Sequence, residues 1–114
     1  MDNNNEAKNW LKNNKNSSPL ASNRFISKKD VLEFIENLYS QGALKVLVTN
    51  ILAEDWRLQQ EGGEYSNSLL IILPKPEEAD KRRSLFEIFN QENKREGFAN
   101  IKDNNEISIE LWWD

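Results

Sequence analysis

The chain has no cysteine and no histidine. The first absence rules out disulfides, thiolate nucleophiles and zinc–sulfur sites. The second removes the side chain that titrates near neutrality and the commonest metal ligand, and with it Ser–His and Cys–His catalysis. An enzyme built from this sequence would have to work with Asp, Glu, Lys, Arg, Tyr, Ser or Thr alone. The expectation is a non-catalytic protein with no metal and no cofactor.

An excess of positive charge is missing too. Fifteen Lys and Arg stand against 19 Asp and Glu, a formal net charge of −4 over 114 residues. Phosphate contacts need clustered Lys and Arg, so nucleic acid is not an expected partner. No basic amphipathic stretch is present to hold an anionic membrane, and the longest purely apolar run, Leu69 to Leu73, is far too short to span a bilayer. Residues 1–10, MDNNNEAKNW, lack the basic-then-apolar order of a secretory signal. A small acidic cytoplasmic protein is expected.

Residues 1–19 are rich in Asn, Lys and Ser and poor in apolar side chains, which predicts a disordered or loosely docked arm. Trp10 and Leu11 within it could dock as a short helical turn. Residues 20–114 carry the signals of a single α+β domain. Ser27-Lys-Lys-Asp30 has the spacing of a helix N-cap, and Val31, Leu32, Ile35, Leu38 and Tyr39 follow helical periodicity up to Gly42. Residues 43–52 and 68–74 read as strands, the second apolar without a break as in a central strand. Pro76 and three acids open a second helix, Lys94 and Arg95 close it, and Gly97 ends it. Residues 106–114, EISIELWWD, alternate like a half-buried strand. Residues 20–26 are a weak strand candidate. The order βαββαβ, or αββαβ without that first strand, predicts a ferredoxin-like split βαβ fold, an antiparallel sheet with two helices on one face.

Motif tests return little chemistry. The aromatic strand motif of RNA-recognition domains is absent. Gly62-Gly63 leads into a strand between Glu61 and Glu64, which suits a hairpin turn and not a phosphate. The acidic residues are scattered and lack the spacing of a calcium loop. Two other features point to surfaces. Residues 53–66 join two strands by a connection much longer than an ordinary hairpin loop, and they carry Trp56, Arg57 and Tyr65, the residue types enriched at interface hot spots. Either they bind a partner, or a helical turn folds Trp56 back onto the domain.

The second feature is the face of the sheet away from the helices. Neighbouring strand residues point to opposite faces. Ile107, Ile109, Leu111 and Trp113 should face the helices, as should Leu44, Val46 and Val48. Leu47, Ile51 and Trp112 then lie on the far face, with apolar company from 69–73. Such a patch marks an interaction site. Its cover would be a second copy, the N-terminal arm or another protein. The leading expectation is a protein-binding module that self-associates as a homodimer through this face. It would use Trp56, Arg57 and Tyr65 on a partner, plausibly a basic one, in the manner of an inhibitor or immunity protein. The alternative is a regulatory small-molecule-binding domain of ferredoxin-like fold.

Overall fold

In the computed structural model, which describes residues 5–114, Ser27 opens a helix as its sequence predicts. Its hydroxyl accepts the Asp30 N–H, and the Asp30 carboxylate accepts the N–H of Ile26. Seven elements follow in the order α1 (Ala7–Asn13), α2 (Lys28–Ser40), β1 (Lys45–Thr49), α3 (Asp55–Glu61), β2 (Ser68–Ile72), α4 (Ala79–Arg95) and β3 (Ser108–Trp112). The protein is α+β, and the described residues form four helices and one three-stranded antiparallel sheet in the order β1-β2-β3.

The sheet register sets the core. Val46, Ile71 and Ile109 align across the three strands, as do Val48, Leu69 and Leu111. All six are buried in one cluster with Val31, Ile35 and Leu38 of α2 and Leu85, Phe86 and Phe89 of α4. The α2 set recurs at helical spacing, as does the buried stripe of α4, Arg82, Leu85, Phe86, Phe89, Glu92 and Asn93. Gly42 ends α2 at φ 118°, and a Cβ there would lie 2.7 Å from the Lys81 stem, so only glycine passes the chain under α4. Residues 76–78 form a turn ahead of α4, whose helical bonds begin at Ala79.

The sheet has three strands where the βαββαβ order requires four. The missing one is the 20–26 candidate. Ala21 takes φ 41°, and its carbonyl accepts the N–H groups of both Arg24 and Phe25, which closes a turn. Only a single bridge remains there, Leu20 to Ser66. The strand joined to β2 through α4 is also its immediate neighbour, running antiparallel to it. This is possible because residues 96–107 carry the chain back along α4 before β3 begins. Asn90 holds this return segment by bonding both the N–H and the carbonyl of Ile101. Arg82 grips it further on, with two bonds to Asp103 of 2.8 and 2.7 Å and others to the carbonyls of Pro74 and Glu106. Ile107 and Leu44, both expected in the core rows, are exposed. They sit just outside the strands, before β1 and β3 begin.

Residues 1–19 are expected as a disordered or loosely docked arm in which Trp10 and Leu11 could dock as a short helical turn; residues 1–4 lie outside the described residues, and α1 places Ala7, Trp10 and Leu11 inside the core cluster. Glu6 caps α1 at the N–H of Asn9 and bridges the outer edge of β1 at Leu47. Trp10 Nε1 donates to Glu64 at 2.8 Å, and Asn14 and Asn16 both donate to the Glu64 carbonyl. These long-range bonds are invisible to a local reading of composition.

Tyr39 fastens α2 to both partners at this edge. Its hydroxyl donates to Glu6 and accepts the N–H of Val46. Burial first, then the Glu6 carboxylate, push its pKa from 10.0 up to about 12. The fold therefore retains a proton that the unfolded chain loses. That contribution is complete below pH 10 and disappears as the pH rises to about 12. Urea unfolding across this range should show the loss. Tyr39→Phe should remove the Tyr39 part of the slope and cost about 1 kcal/mol near neutrality.

Candidate interaction surfaces

The long connection 53–66 begins where β1 stops being regular. Asn50 has φ 51°, which interrupts the strand alternation. Ile51, expected on the far face, packs against the core cluster after this break. The hairpin then resumes for one pair, Leu52 with Tyr65, and α3 caps its tip. Gly62 ends α3 in the left-handed region at φ 86°. At Gly63 a Cβ would fall 1.9 Å from Asn14 Oδ1, so glycine is what lets the N-terminal segment pass beneath.

None of the residues of α3 is buried. What orders its surface is Arg57. The guanidinium donates to Glu54 at 2.9 Å and to Glu61 at 2.7 Å, each one turn away on either side, so one cation spans the helix. It lies over the Trp56 ring at 4.5 Å and the Tyr65 ring at 5.1 Å. The Glu54 hydrogen bond holds the Arg57 pKa above its ordinary value, and in return Arg57 holds the Glu54 carboxyl below its own. The Tyr65 hydroxyl accepts the N–H of Ser22 and donates to Asn67. The three residues singled out in the sequence therefore form one stack. Within it the Arg57 side chain is 13% exposed while Trp56 remains half exposed. The fold has not taken the Trp56 ring inside.

The far face of the sheet is built from the opposite rows. Leu47 aligns with Leu70 and Glu110, Lys45 with Ile72 and Ser108, and Thr49 with Ser68 and Trp112. Thr49 donates to Glu110 at 2.8 Å across the central strand, which fixes the orientation of these rows. Leu47, Leu70 and Ile72 are half-buried and Trp112 is 44% exposed. The buried apolar residues of α1, α2 and α4 all belong to the cluster on the other side, and α3 has none. Phe98 adds to the patch from the return segment, its ring 6.2 Å from that of Trp112. Phe98 stands in an aperiodic loop just past a helix stop, where no local pattern announces a partner. Leu70 and Ile72 lie in an unbroken apolar run, and only the register assigns them.

The buried ionic groups are spoken for. Glu92 takes both bonds of an Arg24 fork, at 2.8 and 2.9 Å, and the indole N–H of Trp113. Burial pushes the Glu92 pKa up, but the Arg24 and Trp113 bonds outweigh it and hold it below the ordinary value. Among the described residues no cluster of acidic side chains could hold a metal ion. A hollow of about 880 Å³ between α4 and the return segment is open and edged by both signs of charge, including Arg83, Glu87, Lys94 and Asp103. Among the described residues no helix is long and apolar enough to cross a membrane. Compared with protein-family models, with curated proteins and with solved structures, the chain matches none.

Proposed function

We propose that the protein is a small non-catalytic binding module of the cytoplasm that pairs with a second copy through the open face of its sheet. The observation that carries this reading is the row of Leu47, Leu70, Ile72 and Trp112, extended by Phe98, on the side opposite the core cluster. Contiguous apolar surface of this kind is uncommon on a soluble monomer unless something docks there. Trp10 and Leu11 of the N-terminal segment are used in the core, which favours a cover supplied by a second chain. A copy of the same face would cover the apolar row with an equally apolar one.

A second reading concerns α3. The Trp56–Arg57–Tyr65 stack is held in place before any partner arrives, which lowers the ordering cost of docking. Its surroundings, Glu54, Asp55, Glu61 and Glu64, favour a basic partner, as an inhibitor or immunity protein would meet. The regulatory-domain alternative has less support. The ferredoxin-like plan it invokes rests on element order, and the hollow beside α4 is open and edged by mixed charge, unlike an enclosed small-molecule pocket.

Sedimentation equilibrium separates the two surfaces. The wild type is expected to be a dimer, Trp112→Glu a folded monomer, and Trp56→Ala still a dimer. A monomeric wild type at micromolar concentration would sink the pairing. Dissociation by Trp56→Ala alone would move the interface to α3.

A further inference from the structure

The acidic chain hides a basic groove that no single segment encodes. Lys8 and Lys12 stand one turn apart on α1, and Lys28 and Lys29 open α2 beside them. Between them Leu11 and Leu32 form an apolar floor, in a hollow of about 500 Å³ whose lining contains no acidic residue. Lys28 donates to the carbonyl of Asn14, which ties the two helices together at one end. Lys8 has Glu36 at 3.7 Å outside the groove. Lys12 and Lys29 make no ion pair among the described residues. Like charges gathered over an apolar floor repel one another unless an anion joins them.

We infer that this groove binds a medium-chain carboxylate, with the acyl chain on Leu11, Leu32 and the lysine stems and the carboxylate between Lys12 and Lys29. Two dimensions select this occupant. Lys8 and Lys12 span a single turn of α1, roughly 5–6 Å, and Lys28 and Lys29 are neighbours at the start of α2. A docking helix needs anchors over two turns or more. The volume falls in the range of small-ligand sites, roughly 300–1,000 Å³. The floor makes a bare inorganic anion a poorer fit, since such an ion would leave the exposed part of Leu32 facing water. Ammonium groups on flexible stems can converge on one carboxylate while their methylenes cover the chain. The site is separate from the sheet face and from α3, so it stands whether or not those surfaces pair.

The test is an amide-shift titration of the full chain with octanoate, with octan-1-ol and octyltrimethylammonium as controls. Saturable shifts confined to the α1–α2 groove are expected with octanoate only. Lys12→Glu/Lys29→Glu should weaken binding about tenfold or more, and Lys12→Gln/Lys29→Gln by a smaller factor, both with unchanged circular dichroism. Equal response to the alcohol, or no saturation, overturns the site. Binding to anionic phosphatidylserine vesicles without a response to octanoate also overturns it, in favour of a membrane surface.

Discussion

Trp113→Ala is expected to destabilise the protein by about 4–5 kcal/mol, the upper part of the range for truncating a buried aromatic. Trp113 is fully buried, and it is bracketed by two other rings. Phe25 lies edge-on at 5.3 Å and Phe34 at 5.9 Å, with Arg24 over both phenylalanines. Removing the indole opens a large cavity and also takes the N–H from Glu92. Domains of this size hold only about 5–15 kcal/mol in total, so much of the variant population could unfold at moderate temperature. Trp113→Phe gives a measurable companion. It keeps most of the packing and loses the hydrogen bond, for about 1–2 kcal/mol. Urea unfolding at neutral and acid pH reports both. Because the folded Glu92 pKa lies below its unfolded value, its contribution is complete above that unfolded value and falls away as the pH drops through the folded one. Loss of the indole bond should raise the folded pKa, so Trp113→Phe should show a smaller acid-dependent loss than the wild type. Equal pH profiles would mean that Arg24 alone sets the Glu92 charge.

The second large effect is expected at Arg82. Its side chain is 2% exposed and makes four hydrogen bonds, two to Asp103 and one each to the carbonyls of Pro74 and Glu106. The Asp103 bonds raise the Arg82 pKa, and Arg82 in turn holds Asp103 below the ordinary carboxylate range. Arg82→Met fills much of the same space and removes every donor. The expected loss is about 3 kcal/mol, the low end for a broken buried pair. Asp103 keeps contact with water at 35% exposure, which softens the penalty on its side. Asp103→Asn should cost less, about 1 kcal/mol, because the two carbonyl bonds survive. Hydrogen exchange adds a spatial check. In Arg82→Met the faster amides should include those of residues 101–107, while the β1–β2 ladder follows global stability. Uniform acceleration would mean that Arg82 supports the core as a whole and does not anchor the return segment.

The parts legible in the sequence were those written in local periodicity. The Ser27 cap, the α2 and α4 stripes and the alternation of Ile109, Leu111 and Trp113 all follow from spacing, and the helix stops at Gly42 and Gly97 follow from backbone chemistry. The misread parts depended on distant bonds. Residues 20–26 resemble a strand in composition, but Ala21 turns the chain because Ser66 pins it there, accepting the Ala21 N–H and donating its own to the Pro19 carbonyl. Residues 5–19 look soluble and loose, yet Glu64 collects Trp10, Asn14 and Asn16 from more than forty positions away. The direction of β3 was hidden because a charged loop, 98–107, reverses the chain by side-chain clamps and not by a helix or strand. Among the surfaces, Trp56, Arg57 and Tyr65 were recognisable by residue type, and the structure adds that they stack. Phe98 and the four-lysine groove were not recognisable, since each needs two segments to meet.

The helix at the hairpin tip has a consequence for how this protein could change over time. A segment with no fully buried residue, whose one largely covered side chain is Arg57, contributes little to the core, so most substitutions at its exposed positions leave the rest of the molecule intact. Selection can then act on 55–61 for recognition alone, without first having to protect the scaffold. The same independence makes this tip a natural place to graft a foreign loop. Trp56 can be exchanged for other residues, and the sheet, the clamps and the buried aromatics would not register the difference.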